Sequence, residues 1–267
     1  MFSRRRLISG IVSISAFGLL SASRVSVASA APKTPLVAAA ASLRFALPEI
    51  SRAFAKEAGF APRLSFGSSG NLARQIRQGA PFELFLSADD ALVVELFRGG
   101  RTADAGAPYA LGRLVVFAPE GSPVKIDARL EGVKAALESG AIRRFAIANP
   151  EHAPYGRAAR EVLQRSNLWD ALASKLVFGE NISQAAQFAV SGSCECALIS
   201  QSLALAPGLA DRGAYAMLPQ DWHDPLRHRM VQLAGAGDGA QAFYAFLTGP
   251  TAQEIFTRHG FASPGQG

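Results

Sequence analysis

Cysteine is nearly absent from this chain: its 267 residues include only two, Cys194 and Cys196, separated by one residue. A framework of several disulfides is therefore excluded, and a C-x-C pair alone supplies too few ligands for zinc. The pair can flank a buried strand as unreactive thiols or close a small, strained disulfide ring. The four histidines do not fall at metal-ligand spacings either, and we expect His152, beside Glu151 in a loop, at the surface.

Charged residues are also few, at 18% of the chain against 49% hydrophobic residues. This balance is typical of a globular protein and excludes a disordered one. The net charge of +6 depends on four arginines near the start, Arg4, Arg5, Arg6 and Arg24. Removing these four from the 27 basic residues leaves 23 against 21 acidic residues, a net charge of +2. A nucleic-acid partner is therefore not expected.

Long hydrophobic runs are confined to the first thirty residues. Arg4-Arg5-Arg6 is followed by an apolar stretch at residues 7–20 and by Ala28-Ser29-Ala30, an A-x-A cleavage site. We therefore interpret residues 1–30 as a signal peptide, exported by the Sec or the twin-arginine route. A membrane anchor is less well supported, because the apolar run is short and interrupted. The mature protein is expected in the periplasm.

Downstream, short apolar strands alternate with amphipathic helices, which predicts an α/β fold with largely parallel strands. A turn-rich stretch at residues 118–127 and a polar, proline-containing stretch at residues 221–225 indicate two crossings between lobes. The predicted domains are 31–117 with 226–267 (lobe 1) and 118–225 (lobe 2). The strands are predicted at residues 36–41, 62–66, 84–86, 114–118, 144–148, 176–178, 196–199 and 229–233.

Small and hydroxyl-bearing residues mark three junctions between a strand and a helix. Residues 38–42 read A-A-A-A-S, residues 66–74 read F-G-S-S-G-N-L-A-R, and residues 149–156 read N-P-E-H-A-P-Y-G. At a helix start the backbone N–H groups are unpaired and carry partial positive charge, and glycine lets an oxyanion approach closely. Ligands of open α/β sheets bind beyond the carboxyl ends of strands. The junctions together predict a cleft that binds an anion.

Five motifs in this order resemble those of the periplasmic molybdate-binding proteins of ABC importers. The resemblance runs over essentially the whole mature chain. It implies an α/β, two-lobed, type II periplasmic binding protein fold, each lobe a mixed sheet flanked by helices, with the ligand in the inter-lobe cleft. The motifs are A-A-S-L (40–43), S-S-G-N-L-A-R-Q-I (68–76), L-F-L-S-A-D (84–89), N-P-E-H-A-P-Y-G (149–156) and F-Y-A-F-L-T-G-P-T-A-Q-E-I-F-T-R-H-G-F (243–261).

The same resemblance implies a function and partners. The ligand would be molybdate or tungstate, molybdenum being held only as the oxyanion without direct side-chain metal ligands. The partner would be the membrane permease of an ABC transporter, and the protein would be a monomer with no cofactor and no catalytic residue.

Carried over by position, four residues correspond to ligand contacts. Ser42 and Ser69 resemble the two hydroxyl donors of the first lobe. Tyr155, through its N–H or hydroxyl, and Ile182, through its N–H, resemble donors of the second. Many members also carry a tyrosine in the strand that here reads A-L-I-S-Q (197–201), so the fifth contact stays open. The structural alternatives are helix caps for the serines, packing over the loop for Tyr155, and a first-turn apolar residue for Ile182.

Three other functions remain as alternatives. The same fold can bind sulfate, phosphonate or an iron–anion complex, or can serve as a periplasmic sensor. A secreted serine hydrolase would need the G-x-S-x-G turn of a nucleophile elbow. Residues 67–71 read G-S-S-G-N, which departs from that pattern at the last position.

Overall fold

A computed structural model describes residues 34–266, so the predicted signal peptide at residues 1–30 lies outside the described part. The ten strands found there are β1 (Leu36–Ala40), β2 (Arg63–Gly67), β3 (Leu84–Ser87), β4 (Ala107–Gly112), β5 (Leu114–Pro119), β6 (Phe145–Ala148), β7 (Leu176–Gly179), β8 (Cys196–Ser200), β9 (Gly213–Met217) and β10 (Leu226–Gln232). The α-helices are α1 (Ala46–Ala58), α2 (Ser69–Arg77), α3 (Asp90–Arg98), α4 (Glu131–Glu138), α5 (Pro154–Arg165), α6 (Trp169–Leu172), α7 (Ile182–Val190), α8 (Gln201–Ala204), α9 (Asp238–Thr248) and α10 (Pro250–Arg258).

The strands form two five-stranded sheets. The first sheet has the order β2-β1-β3-β10-β4, with β1 parallel to β2 and β3, and β10 antiparallel to β3 and β4. The second has the order β7-β6-β8-β5-β9, with β6 parallel to β7 and β8, and β5 antiparallel to β8 and β9. Both sheets are mixed and flanked by helices, which confirms the fold class.

The expectation of largely parallel strands is wrong in each sheet, because two of the four pairings are antiparallel. The antiparallel partners are β5 and β10, the strands on which the chain enters a sheet from the other one. A strand that enters in this way needs no crossover helix and is free to run antiparallel to its neighbours.

The chain changes sheets at two places. It leaves the first sheet after β4 and begins β5 in the second only two residues later, with Arg113 between them. It returns in the segment between β9 and β10. Leu114 already belongs to the second sheet, whereas the predicted lobe boundary assigns residues up to 117 to the first lobe. The return falls close to the predicted one at residues 221–225.

Apolar patterning explains why these segments fold as they do. Leu47, Ile50 and Phe54 lie on one face of α1 and are buried, with the Phe54 ring packed against Phe243 and Phe246 of α9. Asp89 caps α3 by accepting the N–H of Ala91 with its side chain.

The apolar pattern does not reveal α4, which follows a turn. Its start is instead set by the Asp127 carboxylate, which accepts three N–H groups at residues 129–132. The strands β4 and β9 are also absent from the predicted set.

Both cysteines are free thiols in this structure and both are buried. Burial raises the pKa of Cys194 to about 11 and also raises that of Cys196, so neither thiol is poised to react near neutral pH. This agrees with the interpretation of unreactive thiols beside a buried strand, and the disulfide alternative is not what the structure shows. Within residues 34–266, no helix has the length and apolar character needed to cross a membrane.

Candidate anion-binding site

A small cavity lies between the two sheets, where the carboxyl ends of β1, β2 and β3 face those of β6 and β7. Its volume is about 10 Å³, roughly the space of a single water. This conformation therefore has no room for an organic ligand, for which pockets of ≈ 300–1,000 Å³ are usual. All four residues predicted for the ligand line it. The lining residues are Ala40, Ala41, Ser42, Gly67, Ser68, Ser69, Ala88, Ala153, Pro154, Tyr155, Asn181 and Ile182.

Ser42 lies on a 3-10 helix, Ala41–Leu43, that directly follows β1. Its side chain is buried, and its Oγ is one of two buried side-chain polar atoms among the described residues that have no hydrogen-bond partner. The helix-cap alternative does not apply, because Ala40 occupies the cap position. A buried hydroxyl without a partner costs roughly 1–3 kcal/mol. Its retention in a cavity wall therefore points to a ligand that accepts a hydrogen bond from it.

Ser69 is the first residue of α2 and is also buried. Its Oγ accepts the N–H of Ala88 at 2.9 Å, which leaves its own proton free to donate. The cap position of α2 belongs to Ser68, and no side-chain capping bond is present there. The Ser69 hydroxyl is therefore oriented by the loop after β3 and is not used to cap its own helix.

Two helix starts of the second sheet face the same cavity. In α5, Pro154 takes the first position and Tyr155 the second. In α7, Ile182 is the first residue, and the cap residue Asn181 accepts the N–H groups of Ser183 and Gln184 with its side chain. That arrangement leaves the N–H of Ile182 available. Backbone N–H groups at such positions have no partner inside the helix and carry the positive end of the helix dipole.

The Tyr155 hydroxyl is fully buried and reaches across to the first sheet. It lies 3.3 Å from Nε2 of His228 in β10, whose Nδ1 lies 3.0 Å from the Tyr109 hydroxyl. Burial raises the pKa of Tyr155, partly offset by the nearby Ser42 hydroxyl, although those two hydroxyls do not meet hydrogen-bond geometry. Burial also lowers the pKa of His228 to about 3. At neutral pH the tyrosine is protonated and the histidine is uncharged.

The electrostatics of the cavity come entirely from dipoles. None of its lining residues carries a charged side chain. Hydroxyls, backbone N–H groups and the starts of α2, α5 and α7 all present partial positive charge to the space between them. Because the wall offers donors and no carboxylate acceptor, it is suited to an anion that carries no proton of its own.

Hydrogen bonds join the two sides of the cavity around its rim. The Gly70 N–H donates to the His152 carbonyl at 3.0 Å, and the Ser68 Oγ lies 2.9 Å from His152 Nδ1. Arg157 of α5 forms an ion pair with Asp89. His152 is therefore not the surface residue expected from the sequence: only 17% of its side chain is exposed. The conformation described is one in which the two sides are closed on each other.

The residues behind Tyr155 leave no signal in the sequence. His228 and Tyr109 lie 73 and 46 positions from Tyr155 along the chain, and no local motif surrounds either of them. The strand at 197–201 contributes no residue to the cavity wall. Instead, Ser202, just beyond it, donates to the Ser42 carbonyl at 2.8 Å. The fifth contact thus stays open.

A fold of two mixed sheets, with a cavity of helix starts between them, is the architecture of a solute receptor. The chain belongs to the bacterial extracellular solute-binding proteins, whose family model matches residues 35–262.

The relatives point to a particular branch of that family. The molybdate-binding protein ModA of Azotobacter vinelandii is 36% identical over 228 residues, which cover 84% of this chain and 88% of that protein. ModA of Escherichia coli is 36% identical over 232 residues, covering 84% of this chain and 87% of that one. Among solved structures, an Azotobacter vinelandii periplasmic molybdate-binding protein superposes with a TM-score of 0.78 at 27% identity, covering 86% of this chain and 99% of that chain.

Proposed function

We propose that this protein captures molybdate in the cavity between its sheets and delivers it to the membrane permease of an ABC importer. The observation that carries the proposal is the buried, unpartnered Ser42 hydroxyl, which faces a cavity ringed by Ser69, Tyr155 and Ile182. Relatives that bear the name molybdate-binding protein cover nearly all of the same residues.

The strength of such a site follows from its donors. Each hydrogen bond to a charged group contributes on the order of 1.5–3 kcal/mol. The donors proposed are the two serine hydroxyls, the Tyr155 hydroxyl and the N–H groups of Tyr155 and Ile182. Five such bonds are sufficient for micromolar or tighter binding, about −8 kcal/mol, after the cost of association.

The same donors set the selectivity of the site. Phosphate keeps a proton at neutral pH and would need an acceptor, which the cavity wall does not provide. Fully ionised oxyanions are therefore preferred. Tungstate has the same charge and shape as molybdate and is included in the proposal. Sulfate is the main alternative. The size of the closed cavity decides whether the site prefers sulfate or the larger molybdate and tungstate ions.

Capture is proposed to work by closure. Each sheet with its helices is taken as one lobe, so the first boundary lies at Arg113, four residues before the predicted one, and the second lies between β9 and β10. In the open form each lobe would hold part of the shell of donors. Closing would form the rim contacts of Asp89 with Arg157 and of Ser68 with His152. The closed, anion-loaded monomer would then dock on its permease from the periplasmic side.

Calorimetric titration with molybdate, tungstate, sulfate and phosphate tests the proposal. We expect molybdate and tungstate to bind at micromolar concentration or below, and phosphate to bind far more weakly. Ser69→Ala should weaken molybdate binding by about tenfold or more, since one charge-assisted bond is lost. Ser51→Ala, at a buried serine of α1 that does not line the cavity, is the matched control. An unchanged dissociation constant for Ser69→Ala would contradict the assignment.

One observation favours a second candidate, a serine hydrolase. Ser68 Oγ lies 2.9 Å from His152, whose other ring nitrogen lies 3.5 Å from Glu180. The Ser68 hydroxyl is buried in the rim, however, and Glu180 is largely exposed, so the group is better explained as a contact that closes the cavity. Hydrolysis of p-nitrophenyl acetate by the wild type, abolished in Ser68→Ala, would support the hydrolase; equal rates in the two would exclude it.

A further inference from the structure

A buried chain of polar side chains runs from the cavity into the first sheet. It begins at the Tyr155 hydroxyl, passes through His228 and ends at Tyr109, whose hydroxyl also lies 3.4 Å from the Ser87 carbonyl. No member is more than 2% exposed. Only Tyr155 lines the cavity, so the proposed binding of an anion does not by itself assign a role to the other two.

The neutral ring of His228 donates through one nitrogen and accepts through the other. In one arrangement the proton is on Nδ1: Tyr109 then donates to the Ser87 carbonyl, and the Tyr155 hydroxyl donates to Nε2. Tyr155 would then turn an oxygen lone pair toward the cavity. In the other arrangement Tyr109 donates to Nδ1, Nε2–H donates to the Tyr155 oxygen, and the Tyr155 proton is free to point into the cavity.

Only the second arrangement suits an anion. The first would place a lone pair against negative charge and would rely on the long 3.4 Å contact of Tyr109 with Ser87. We propose that His228 is a positioning residue, held by Tyr109 as the Nε2–H tautomer, and that it makes the Tyr155 hydroxyl a donor to the bound oxyanion. This inference rests on the proposed function and adds the reason why Tyr155 donates.

The backbone beside this chain is shaped to allow the contact. A Cβ added to Gly112, at the end of β4, would overlap the Tyr155 hydroxyl and lie 2.9 Å from His228 Nε2. Gly112 does not have a positive φ, so backbone conformation does not explain why glycine stands there. The space is occupied by the tyrosine hydroxyl where it meets the imidazole.

Three variants test the proposal by molybdate titration. His228→Gln can accept from Tyr109 with its oxygen and donate to Tyr155 with its nitrogen, so it should bind within about threefold of the wild type. His228→Leu should bind about tenfold more weakly, because Tyr155 loses the donor that orients it. Tyr109→Phe keeps the side-chain volume and leaves His228 in place, but it removes the hydroxyl that holds the His228 proton on Nε2. It should weaken binding roughly fivefold.

A second measurement reads the tautomer directly and does not depend on the leucine variant folding. In ¹⁵N-labelled protein loaded with molybdate, the His228 ring, assigned by its absence from His228→Gln, should carry its proton on Nε2. A proton on Nδ1, or wild-type affinity in both His228→Leu and Tyr109→Phe, would overturn the inference. A wild type that binds molybdate with the Nδ1–H tautomer overturns this inference alone. A wild type that does not bind molybdate overturns the proposed function as well.

Discussion

The two sides of the cavity present their donors in different ways. The first sheet contributes side chains: Ser42 and Ser69 offer hydroxyls, one unpartnered and one oriented by the Ala88 N–H. The second sheet contributes mainly helix starts, where the backbone N–H groups of Tyr155 and Ile182 face the same space, with the Tyr155 hydroxyl as its one side-chain donor. A donor that belongs to a side chain depends on residue type, whereas a donor that belongs to the backbone depends on the position of a helix. Substitutions should therefore affect the two sides unequally.

Loss of both hydroxyls should have the largest effect. The double variant Ser42→Ala/Ser69→Ala should bind molybdate at least about a hundredfold more weakly, since each lost bond to a charged group costs roughly 1.5–3 kcal/mol. Calorimetry measures the change, with Ser51→Ala as control. A loss of less than tenfold would mean that the first sheet does not supply these donors.

The backbone side is tested by a proline. Ile182 is the first residue of α7, where proline is tolerated because the N–H has no partner within the helix. The preceding residue, Asn181, is extended, as a residue before proline prefers. Ile182→Pro should therefore keep the helix and weaken molybdate binding by about tenfold or more, through loss of one N–H donor.

The matched control for that proline is Ile182→Val, which keeps the N–H. It should change the affinity less than about twofold, because the side chain supplies apolar packing and no donor. Circular dichroism checks that α7 is intact in both variants. Equal affinities for the proline and valine variants would refute a backbone contact at this position.

Closure brings the two sides together, and Gly70 tests it. A Cβ at Gly70 would lie 2.5 Å from the His152 carbonyl, so Gly70→Ala should obstruct the closed form while leaving each sheet intact. We expect molybdate to bind several-fold more weakly and to produce a smaller contraction in small-angle scattering. Gly99→Ala is the control, because the nearest atom to its Cβ lies 3.4 Å away. Normal contraction in Gly70→Ala would show that this contact is not needed.

The features of the fold and of the site that could be predicted from the sequence are those that rest on local residue patterns. The strand–helix alternation and the hydroxyl-bearing junctions are local features, so the fold class and an anion-binding cleft could be predicted from them. The contacts proposed for Ser42, Ser69, Tyr155 and Ile182 come from resemblance, and a backbone donor such as that of Ile182 leaves no signature in residue type. His228 was not accessible at all, since its contact with Tyr155 spans 73 positions and no local pattern encodes it.

A change of pH should have the smallest effect on binding. It should have a separate effect on the stability of the fold. Burial lowers the pKa of His228 from an ordinary 6.5 to about 3. Between those values the unfolded chain takes up a proton that the folded chain does not, so stability is full above pH 6.5 and falls as pH decreases toward 3. Beside the second sheet, the pKa of Glu195 is lowered. Burial raises this pKa, but hydrogen bonds donated by Arg144 and Arg143 lower it by more. That carboxylate contributes to acid unfolding only below about pH 4.5.

Thermal melts between pH 6.5 and 5 separate the contribution of His228 to stability from that of Glu195. The wild type should lose melting temperature over this interval, and His228→Gln should lose much less, because glutamine does not titrate. Equal slopes for the two proteins would contradict a neutral, buried His228.

The position of molybdenum in crystals grown with molybdate tests the central claim most directly, since anomalous scattering locates the metal without reference to any assumed contact. We predict one molybdenum peak in the cavity, with its oxygens within hydrogen-bond distance of Ser42 Oγ, Ser69 Oγ and the N–H groups of Tyr155 and Ile182. A peak elsewhere, or a cavity that stays empty while molybdate is present, would contradict the account.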